Sequence, residues 1–479
     1  MLWLMSWLVR RVLQALHLAA PVRLVHHSEP VQIVSIDSST GLKHRSSLKH
    51  VLDKCPSLTG RDAWYCPTPW LASGHLATIA CTLFKFRYDP IEYTREFIRV
   101  PDGGTIAVDI TPPVKPDEKL DNRPLLVVSQ CVRLPLALLA LLRFAGGLTG
   151  GSHESYVRNV LAIVTRPVSE GGLGWRAAVV NSRGCAGSPI TSPKLYSGEV
   201  TDDLRCAVTF LSHFVPDSPM YGIGFSLGAN QQAKFVGEEG PDCPYNGAVV
   251  LGAPFDFVKG HVALSSSWLR GIYSRAMAAN LKRLVWRHRN QLKDHPRLDW
   301  DALFDNPNTT LFEFDSLVTA PLGNHATAIR YYKSASATRF IDQVSVPLLS
   351  FSAWDDPIVC SKGVPSHAAK TNPNLVFVFT KHGGHLGWFE GFFRARRWIA
   401  KPVVEFLKAL HEADPTPKRA WKTSPPRLEG SDNKRPEIGD EMVTLEGRPE
   451  IGFQRVGAEE HNARGGEAVE GTAELTQGL

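Results

Sequence analysis

The chain has 479 residues, of which 43% are hydrophobic and 21% are charged, and its formal net charge is +6. This length suits one large globular domain with additional segments at the ends. The charge is modest and no basic stripe is interleaved with aromatic residues, so nucleic acid is not expected as a partner. The eight cysteines contain no C-x-x-C pair. Their spacing predicts no structural zinc site, no dense disulfide framework and a reducing, intracellular compartment. Neither a metal ion nor a cofactor is predicted.

Residues 1–27 form an apolar segment that becomes amphipathic. Residues 1–9 are apolar with two tryptophans, Arg10 and Arg11 follow, and apolar side chains continue at helical spacing as far as Ala20. The apolar run is too short to predict a transmembrane helix, and the charges follow it, unlike those of a secretory signal. An interfacial amphipathic helix is favoured, which predicts peripheral contact with the endoplasmic reticulum membrane or a lipid droplet. A helix docked on the domain and a short signal-anchor stay open.

Further along the chain, apolar runs of strand length alternate with helical patterns. The predicted strands cover residues 125–129, 177–180, 220–223, 248–251, 346–353 and 374–379. This alternation is typical of an α/β fold with a mostly parallel central sheet and helices on both faces.

The most informative motif follows the third of these strands. Residues 224–228 read Gly-Phe-Ser-Leu-Gly and lead directly into a helical pattern at 229–236. A G-x-S-x-G sequence at a strand-to-helix turn exposes its serine, and the N-terminus of the following helix favours developing negative charge. Ser226 is therefore predicted to be a nucleophile. The alternative is a tight turn with an ordinary capping serine.

Residues 258–343, between the fourth and fifth predicted strands, have a helical pattern. One face is apolar, with Trp268, Leu269, Ile272, Tyr273 and Met277. Folds of this class insert a helical cap over the site at this point, and an apolar inner face would bury an acyl chain. The alternative is a set of helices packed only for stability.

Polar clusters follow the last two predicted strands. Asp355 and Asp356 come directly after the fifth strand, and His382 and His385 come after the sixth. The order serine, acid, histidine is that of a nucleophile whose proton is taken by a histidine that a carboxylate orients. Asp356 is favoured over Asp355 because folds of this class commonly have an Asp-x-hydrophobic-Val sequence just after this strand. His385, which lies between flexible glycines and Leu386, is favoured as the general base over His382.

The C-terminal end differs in composition from the rest. Beyond residue 415 the chain is rich in Pro, Gly, Glu, Lys and Arg and poor in large apolar residues. This composition predicts a disordered tail over residues 415–479. The sequence Arg-Pro-Glu-Ile-Gly occurs twice in it, at 435–439 and 448–452, without evident chemistry.

Several segments together resemble one subfamily of α/β-hydrolases. They are Gly-Phe-Ser-Leu-Gly-Ala-Asn at 224–230, Asn-Ser-Arg-Gly-Cys at 181–185, Leu-Tyr-Ser-Gly at 195–198, Thr-Asp-Asp-Leu-Arg at 201–205, Asp-Asp-Pro at 355–357 and Gly-Gly-His-Leu-Gly at 383–387. This subfamily, of the AB hydrolase 4 type, includes fungal medium-chain fatty acid ethyl ester synthase/esterases and membrane-associated lipid hydrolases of animals. The resemblance covers residues 69–410 in the right order, and it implies an α/β-hydrolase domain there.

The resemblance implies a serine esterase or O-acyltransferase that acts on fatty acyl esters through an acyl-serine, with Ser226, Asp356 and His385 in the matching positions. An acyl ester or acyl-CoA is the expected substrate, with water or an alcohol as acceptor. A lipid hydrolase acting on monoacylglycerol or phospholipid is an alternative. A noncatalytic relative that binds lipid or a protein partner also stays open.

The resemblance also implies an oxyanion hole. Leu227, which follows the nucleophile, supplies one backbone N–H, and the second comes from a loop in which the subfamily has a His-Gly step before Leu-Thr-Gly-Gly-Ser. Residues 147–152 match that loop, so Leu148 is implied as the second donor. The expected histidine is absent, and Gly146 stands in its place.

Residues 130–146 separate this loop from the strand that should lead into it. They include an apolar stretch, at 134–142, that is too short to span a bilayer and costly to expose. A retained intron that keeps the reading frame is the favoured hypothesis, and a genuine insertion packed as an extra helix near the site is the alternative. Sequencing the transcript decides, because a message that encodes the whole segment rules out the intron.

Overall fold

The computed structural model describes residues 19–36, 43–61, 63–83, 89–115, 118–130, 150–418, 421–425, 438–439 and 441–457. The strands in these ranges are Ala20–Pro21 (β1), Arg23–His26 (β2), Gln32–Ile36 (β3), Lys43–Ser47 (β4), Trp64–Tyr65 (β5), Thr94–Arg99 (β6), Thr105–Thr111 (β7), Leu125–Ser129 (β8), Arg176–Asn181 (β9), Met220–Phe225 (β10), Tyr245–Leu251 (β11), Leu348–Ala353 (β12), Leu375–Thr380 (β13), Phe389–Glu390 (β14), Arg396–Arg397 (β15), Thr423–Ser424 (β16), Val443–Leu445 (β17) and Arg448–Val456 (β18).

The α-helices in the same ranges are Leu48–Asp53 (α1), Pro56–Thr59 (α2), Gly74–Leu83 (α3), Ser155–Val164 (α4), Asp202–Phe214 (α5), Leu227–Glu239 (α6), Phe257–Ser265 (α7), Trp268–Arg287 (α8), Arg289–Leu292 (α9), Trp300–Asp305 (α10), Leu311–Phe314 (α11), Ala320–Leu322 (α12), Ala328–Ala335 (α13) and Ala400–Ala413 (α14). A π-helical turn, Asp315–Thr319, joins α11 to α12. Single 3₁₀ turns lie at Pro69–Leu71, Val168–Glu170, Gly240–Asp242, Ala337–Arg339, Ile341–Gln343, Ser361–Gly363 and Ser366–Lys370.

A twelve-stranded sheet organises the domain, in the order β16-β17-β18-β6-β7-β9-β8-β10-β11-β12-β13-β2. The strands from β9 to β13 in this order pair in parallel, and the strands on either side pair antiparallel. Strands β8, β10, β12 and β13 are buried along their whole length, as apolar runs predict for strands covered on both faces. Because these strands are parallel, the loops after their carboxyl ends meet at one edge of the sheet.

Helices cover both faces of this sheet. Residues of α5 and α6 belong to the core on one face, and residues of α3, α4 and α14 belong to the core on the other. Helix α14 shows why, since Val403, Phe406, Leu407 and Leu410 recur at the spacing of one buried helix face. Burying each such side chain stabilises the fold by roughly 1.5–3 kcal/mol. The α/β-hydrolase fold expected from the sequence is thus confirmed.

The cap consists of α7 to α13 and the turns between them, inserted between β11 and β12. Side-chain caps define its helix starts: Ser267 accepts a hydrogen bond at the start of α8, and Thr310 forms a capping box with Glu313 at the start of α11. The expected apolar inner face is wrong for Leu269, which is 41% exposed, and for Trp268, which is 75% exposed. Trp268 lies five residues before Tyr273 and therefore about 140° around the helix from it.

The N-terminal segment differs from its prediction in the part that the structure describes. Residues 1–18 of the expected amphipathic segment 1–27 lie outside the described residues. Ala20, expected on the helix, instead lies in β1 and pairs with Tyr65 in β5. Pro21 explains the change, because proline disfavours helical backbone at the preceding residue and removes a backbone donor.

The prediction of a disordered tail over residues 415–479 is wrong for β17 and β18. Strand β18 pairs antiparallel with β6 on one side and with β17 on the other. Its side chains Ile451 and Phe453 are buried, and the Phe453 ring contacts Phe210 of α5 edge-on. Composition averaged over the tail does not reveal this short apolar run, which begins with the second Arg-Pro-Glu-Ile-Gly copy and covers an otherwise open sheet edge.

Candidate active site

Ser226 lies in the tight turn between β10 and α6. Its φ is 53°, in the left-handed region that non-glycine residues rarely adopt, as a turn that presents a nucleophile requires. Two glycines make the turn feasible. A Cβ on Gly224 would lie 2.5 Å from the Cα of Ala229, and one on Gly228 would lie 2.4 Å from the carbonyl of Ser129. The glycines of the motif are therefore required for α6 to pack against β10 and β8.

His385 lies in the loop that follows β13. Its backbone N–H donates to Oγ1 of Thr78 in α3, over 2.8 Å. The N–H of the preceding residue, Gly384, donates to Oδ1 of Asp355, over 2.9 Å. Gly384 has a φ of 58°, and a Cβ there would lie 2.4 Å from the carbonyl oxygen of Gly74. The loop is thus held from two sides, which fixes the direction of the imidazole.

Asp356 lies just beyond the end of β12. Its Oδ1 accepts the backbone N–H groups of Ile358 and Val359, over 2.8 and 2.9 Å. Its Oδ2 lies 2.8 Å from Nδ1 of His385. The backbone donors orient the carboxylate so that its second oxygen faces the histidine.

The structure joins the three predicted residues in one chain of hydrogen bonds. Nε2 of His385 lies 2.7 Å from Oγ of Ser226, while Nδ1 faces Asp356. With a proton on Nδ1, Nε2 keeps its lone pair and accepts a hydrogen bond from the serine hydroxyl. The three residues are only 3–7% exposed, and hydrogen bonds in such a site are electrostatically stronger than in water. The arrangement can activate Ser226 for attack.

The alternative acid and base pair with each other instead. Asp355 binds the N–H of Gly384 with one oxygen, and its other oxygen lies 3.4 Å from Nδ1 of His382. A Cβ on Gly74 would lie 1.9 Å from the carbonyl oxygen of Asp355, so this residue also packs tightly against α3. Asp355 therefore positions the loop that carries His385.

A partly open cavity of about 170 Å³ extends from the nucleophile into the cap. Most of the surface around it is apolar. Its walls come from the elbow, from α7 and α8, and from the segment after β12, and they include Leu227, Leu264, Met277, Leu281, Ile358 and Val359. Such a cavity suits an apolar chain attached to a carbonyl at Ser226.

Of the two oxyanion donors implied by the resemblance, the structure describes Leu227. Leu227 is the first residue of α6 and lines the cavity beside Ser226. N–H groups in the first turn of a helix have no partner within the helix, so that of Leu227 is suited to bind an oxyanion. Leu148 lies outside the described residues, as does the segment 131–149 that contains most of the anomalous insertion. Gln130, its first residue, is buried beside the elbow and donates to the carbonyl of Gly150.

Two of the motifs behind the resemblance form hydrogen bonds around this site. Asn230, which follows the elbow, donates to the carbonyls of Gly198 and Ala335 and so joins α6 to the end of the cap. Arg183 forms two parallel hydrogen bonds with Asp203, of 2.9 and 2.6 Å. The first of these motifs joins the helix after the nucleophile to the cap, and the second ties the segment after β9 to α5.

Sequence reasoning missed the contact of Thr78 in α3 with the histidine and the contact of Tyr273 in α8 with His75 in α3. Thr78 receives the N–H of His385 from 307 positions away, and no local pattern indicates such a contact. Tyr273 of the cap lies 2.9 Å from Nδ1 of His75. Burial, with Asp356 nearby, raises the pKa of Tyr273 to about 12, so it stays neutral.

Metal ligands and membrane spans can be assessed in the described part of the chain. There, histidine, cysteine and acidic side chains form no cluster that could hold a metal ion. Among the helices that the structure describes, none combines the length and the apolar character needed to cross a membrane.

The fold, the hydrogen bonds that join Ser226, His385 and Asp356, and the apolar cavity define a serine hydrolase. No family model matches the chain. The chain is 30% identical over 439 residues to a monoacylglycerol lipase of Saccharomyces cerevisiae. The alignment covers 82% of this chain and 92% of that protein. It is 27% identical to medium-chain fatty acid ethyl ester synthase/esterase 2 of the same yeast, over 72% of this chain and 85% of that protein.

The chain therefore belongs to the AB hydrolase 4 type of α/β-hydrolases. Among solved structures, an esterase of Pyrococcus furiosus aligns with 66% of this chain and 92% of its own, at 15% identity and a TM-score of 0.38.

Proposed function

We propose that this protein hydrolyses fatty acyl esters, medium-chain esters among them, through an acyl intermediate on Ser226. The observation that carries the proposal is the hydrogen-bonded line of Ser226, His385 and Asp356 at the mouth of an apolar cavity. The names of the two yeast relatives, a monoacylglycerol lipase and an ethyl ester synthase/esterase, support fatty acyl esters as the substrate class.

The reaction begins with attack of Ser226 Oγ on the ester carbonyl carbon, while Nε2 of His385 takes the hydroxyl proton. Asp356 stabilises the imidazolium that forms. Collapse of the tetrahedral intermediate breaks the bond to the alcohol, which leaves with the proton from Nε2. Water then attacks the acyl carbon with the same base, and free acid and Ser226 are released.

The oxyanion of each tetrahedral intermediate needs backbone donors. Leu227 occupies the position of the first one, at the N-terminus of α6. A single such donor contributes on the order of 10²–10³ in kcat. Leu148 stays the predicted second donor, and Gln130, beside Gly228 of the elbow, donates to the carbonyl of Gly150.

Acyl transfer to an alcohol follows from the same intermediate. If an alcohol replaces water in the second half of the reaction, the product is a new ester. A medium-chain acyl-CoA can serve as donor in the same way, because thiolate replaces alkoxide as the leaving group. Monoacylglycerol and phospholipid are the alternative ester substrates.

The proposal is tested with a fluorophosphonate probe and a substrate screen. Wild-type protein should be labelled on Ser226, and Ser226→Ala should not be. The screen uses p-nitrophenyl and ethyl esters from C2 to C16, monoacylglycerols and phosphatidylcholine, each with and without added ethanol. Labelling with ester turnover is the expected result. A folded protein that neither reacts with the probe nor consumes an ester would instead be a noncatalytic lipid- or protein-binding relative.

We also propose contact with a lipid surface, such as the endoplasmic reticulum membrane or a lipid droplet. The N-terminal segment remains one predicted site of contact. The hairpin of β14 and β15 offers a second, because its tip carries Phe392 and Phe393, 48% and 90% exposed, beside exposed Arg394 and Arg396. Exposed aromatic and basic side chains together suit the interface of an anionic membrane.

Vesicle co-sedimentation tests this contact with phosphatidylcholine vesicles, with and without phosphatidylserine. Phe393→Ser should weaken binding, while Val168→Ser, which changes a comparably exposed residue elsewhere (72%), should not. Equal binding by the two variants would exclude the hairpin as a contact.

A further inference from the structure

A buried carboxylate lies in the wall of the apolar cavity. Asp315 is 6% exposed and lines the same cavity as Ser226. It begins the π-helical turn Asp315–Thr319 of the cap. Such turns are rare and occur often at functional sites. Nothing in the proposed reaction uses this residue.

The hydrogen bonds of Asp315 come only from neutral groups in the described part of the chain. Thr319 donates to Oδ1 over 2.6 Å, and Tyr332 donates to Oδ2 over 2.8 Å. An ionised carboxylate has about four lone-pair sites, so further acceptor capacity remains. Asp256, another carboxylate of this cavity, differs because it caps α7 and pairs with Lys259 at 3.1 Å.

The titratable groups around Asp315 do not supply a positive charge. Tyr331 and Tyr332 of α13 face it, and burial raises the pKa of both phenols far above neutral. His261 of α7 lines the same cavity, stacked on Phe312 with 4.3 Å between ring centroids, and burial lowers the pKa of His261. Burial raises the pKa of Asp315 itself to about 6. Near pH 8 the cavity thus contains an anion beside neutral rings.

Asp315 lies along the wall that starts at the nucleophile. The hydroxyl of Tyr331 accepts the N–H of Gly198, over 3.0 Å. A Cβ on Gly198 would lie 3.1 Å from Leu227, the residue after the nucleophile. Tyr332, the neighbour of Tyr331, then reaches Asp315. An ester bound at Ser226 and filling this cavity extends toward the carboxylate.

We propose that Asp315 is a specificity-determining residue that accepts a hydrogen bond from a hydroxyl group of the substrate, in the cavity that also receives the ester. The proposal rests on the esterase function proposed above. The hydroxyl belongs either to the alcohol part, as in a glycerol ester, or to a hydroxylated acyl chain. A neutral hydroxyl fits this mostly apolar site better than an ammonium group, because burying it costs far less.

The structure implies a definite preference. A cavity built around a buried acceptor disfavours a substrate without the matching donor, because that substrate leaves the charged group unpaired. We expect wild-type kcat/KM to favour one hydroxylated ester over the plain ester of equal chain length by about tenfold or more.

The experiment compares three esters of one acyl length at pH 8: the ethyl ester, the 1-monoacylglycerol and the ethyl ester of the ω-hydroxy acid. Asp315→Leu removes both acceptors and should reduce the preference for the hydroxylated ester to near unity. Asp315→Asn keeps one acceptor and should retain part of it. Asp301→Leu, a change of an exposed carboxylate in α10, is the matched control and should leave the preference unchanged. If Asp315→Leu loses the preference for the monoacylglycerol, the alcohol part carries the hydroxyl. If it loses the preference for the ω-hydroxy ester, the acyl part carries it.

A purely structural role of Asp315 would lower kcat/KM for all three esters by the same factor, and that result overturns the proposal. Labelling of Ser226 by the fluorophosphonate distinguishes a failure of the Asp315 proposal from a failure of the esterase function. If labelling is normal and the preference is identical in all variants, Asp315 recognises nothing. If Ser226 is not labelled and no ester is consumed, the esterase function fails, and this proposal fails with it. As a second readout, the wild-type preference should fall as the pH drops below about 6, since protonation removes the anionic acceptor.

Discussion

The catalytic edge, meaning the loops that carry Ser226, Asp356 and His385, and the cap are built in different ways. At the catalytic edge, backbone geometry sets the reacting groups: Ser226 has a left-handed φ, and backbone N–H groups orient Asp356. In the cap, side chains on helices with a separate apolar core form the cavity. The chemistry therefore depends on turns that tolerate little change, whereas the choice of substrate depends on side chains that can be replaced.

The largest expected effect breaks the catalytic edge alone. Ser226→Ala and His385→Ala should each lower kcat for ester hydrolysis by about 10⁴-fold or more, because the attacking oxygen or its base is lost. Thermal unfolding should change little for Ser226→Ala, which removes one oxygen. Steady-state kinetics and calorimetry on the same samples check both points, with Ser265→Ala on the exposed end of α7 as the control. Retention of a tenth of the activity by Ser226→Ala would refute its role as nucleophile.

The next effect separates the two neighbouring acids. Asp356→Asn should lower kcat by about 10³–10⁴-fold, because the amide no longer stabilises the imidazolium or fixes its tautomer. Asp355→Asn should cost much less, since its amide oxygen can still accept the N–H of Gly384. Parallel kinetic measurements decide, and the reverse order would make Asp355 the catalytic acid.

A change in the cap should alter selectivity and spare the chemistry. Met277→Trp shortens the cavity, so kcat/KM for long acyl esters should fall by about 10–100-fold relative to short ones. Met277→Leu nearly conserves volume and serves as the matched control. A chain-length series measured for both variants tests this, and an equal loss at every length would show that Met277 does not border the acyl chain.

The last effect is one of stability in the cap and leaves the chemistry untouched. Burial raises the pKa of Asp315 from 3.8 to about 6, so between these pH values the folded state keeps a proton that the unfolded state releases. Wild-type stability therefore falls as the pH rises through this window. Asn cannot ionise, so the free energy of unfolding of Asp315→Asn relative to wild type should rise by about 3 kcal/mol from below pH 4 to above pH 7.

Urea denaturation of both proteins across this range measures the difference. A difference that does not vary with pH would mean that Asp315 is not perturbed by burial.

The two regions also differ in how far the sequence predicts them. The order of Ser226, Asp356 and His385 after three strands of the sheet was readable because parallel strands bring their loops to one edge. The role of Thr78 could not be read from the sequence, because its contact with His385 is set by the packing of α3. In the cap, the helical pattern was readable, but the π turn at Asp315 and the outward direction of Trp268 depend on packing. Strand β18 was missed because its few apolar residues lie among polar and charged ones, and such a segment forms a strand only where a sheet edge is available.

Trapping of the acyl intermediate tests the central claim most directly. Wild-type protein is mixed with a medium-chain p-nitrophenyl ester, quenched in acid within milliseconds, digested and examined by mass spectrometry. We predict an acyl group on the peptide that contains Ser226, and its absence in Ser226→Ala. Acylation of a different residue, or ester consumption by wild type with no acyl group on Ser226 at any time, would contradict the account.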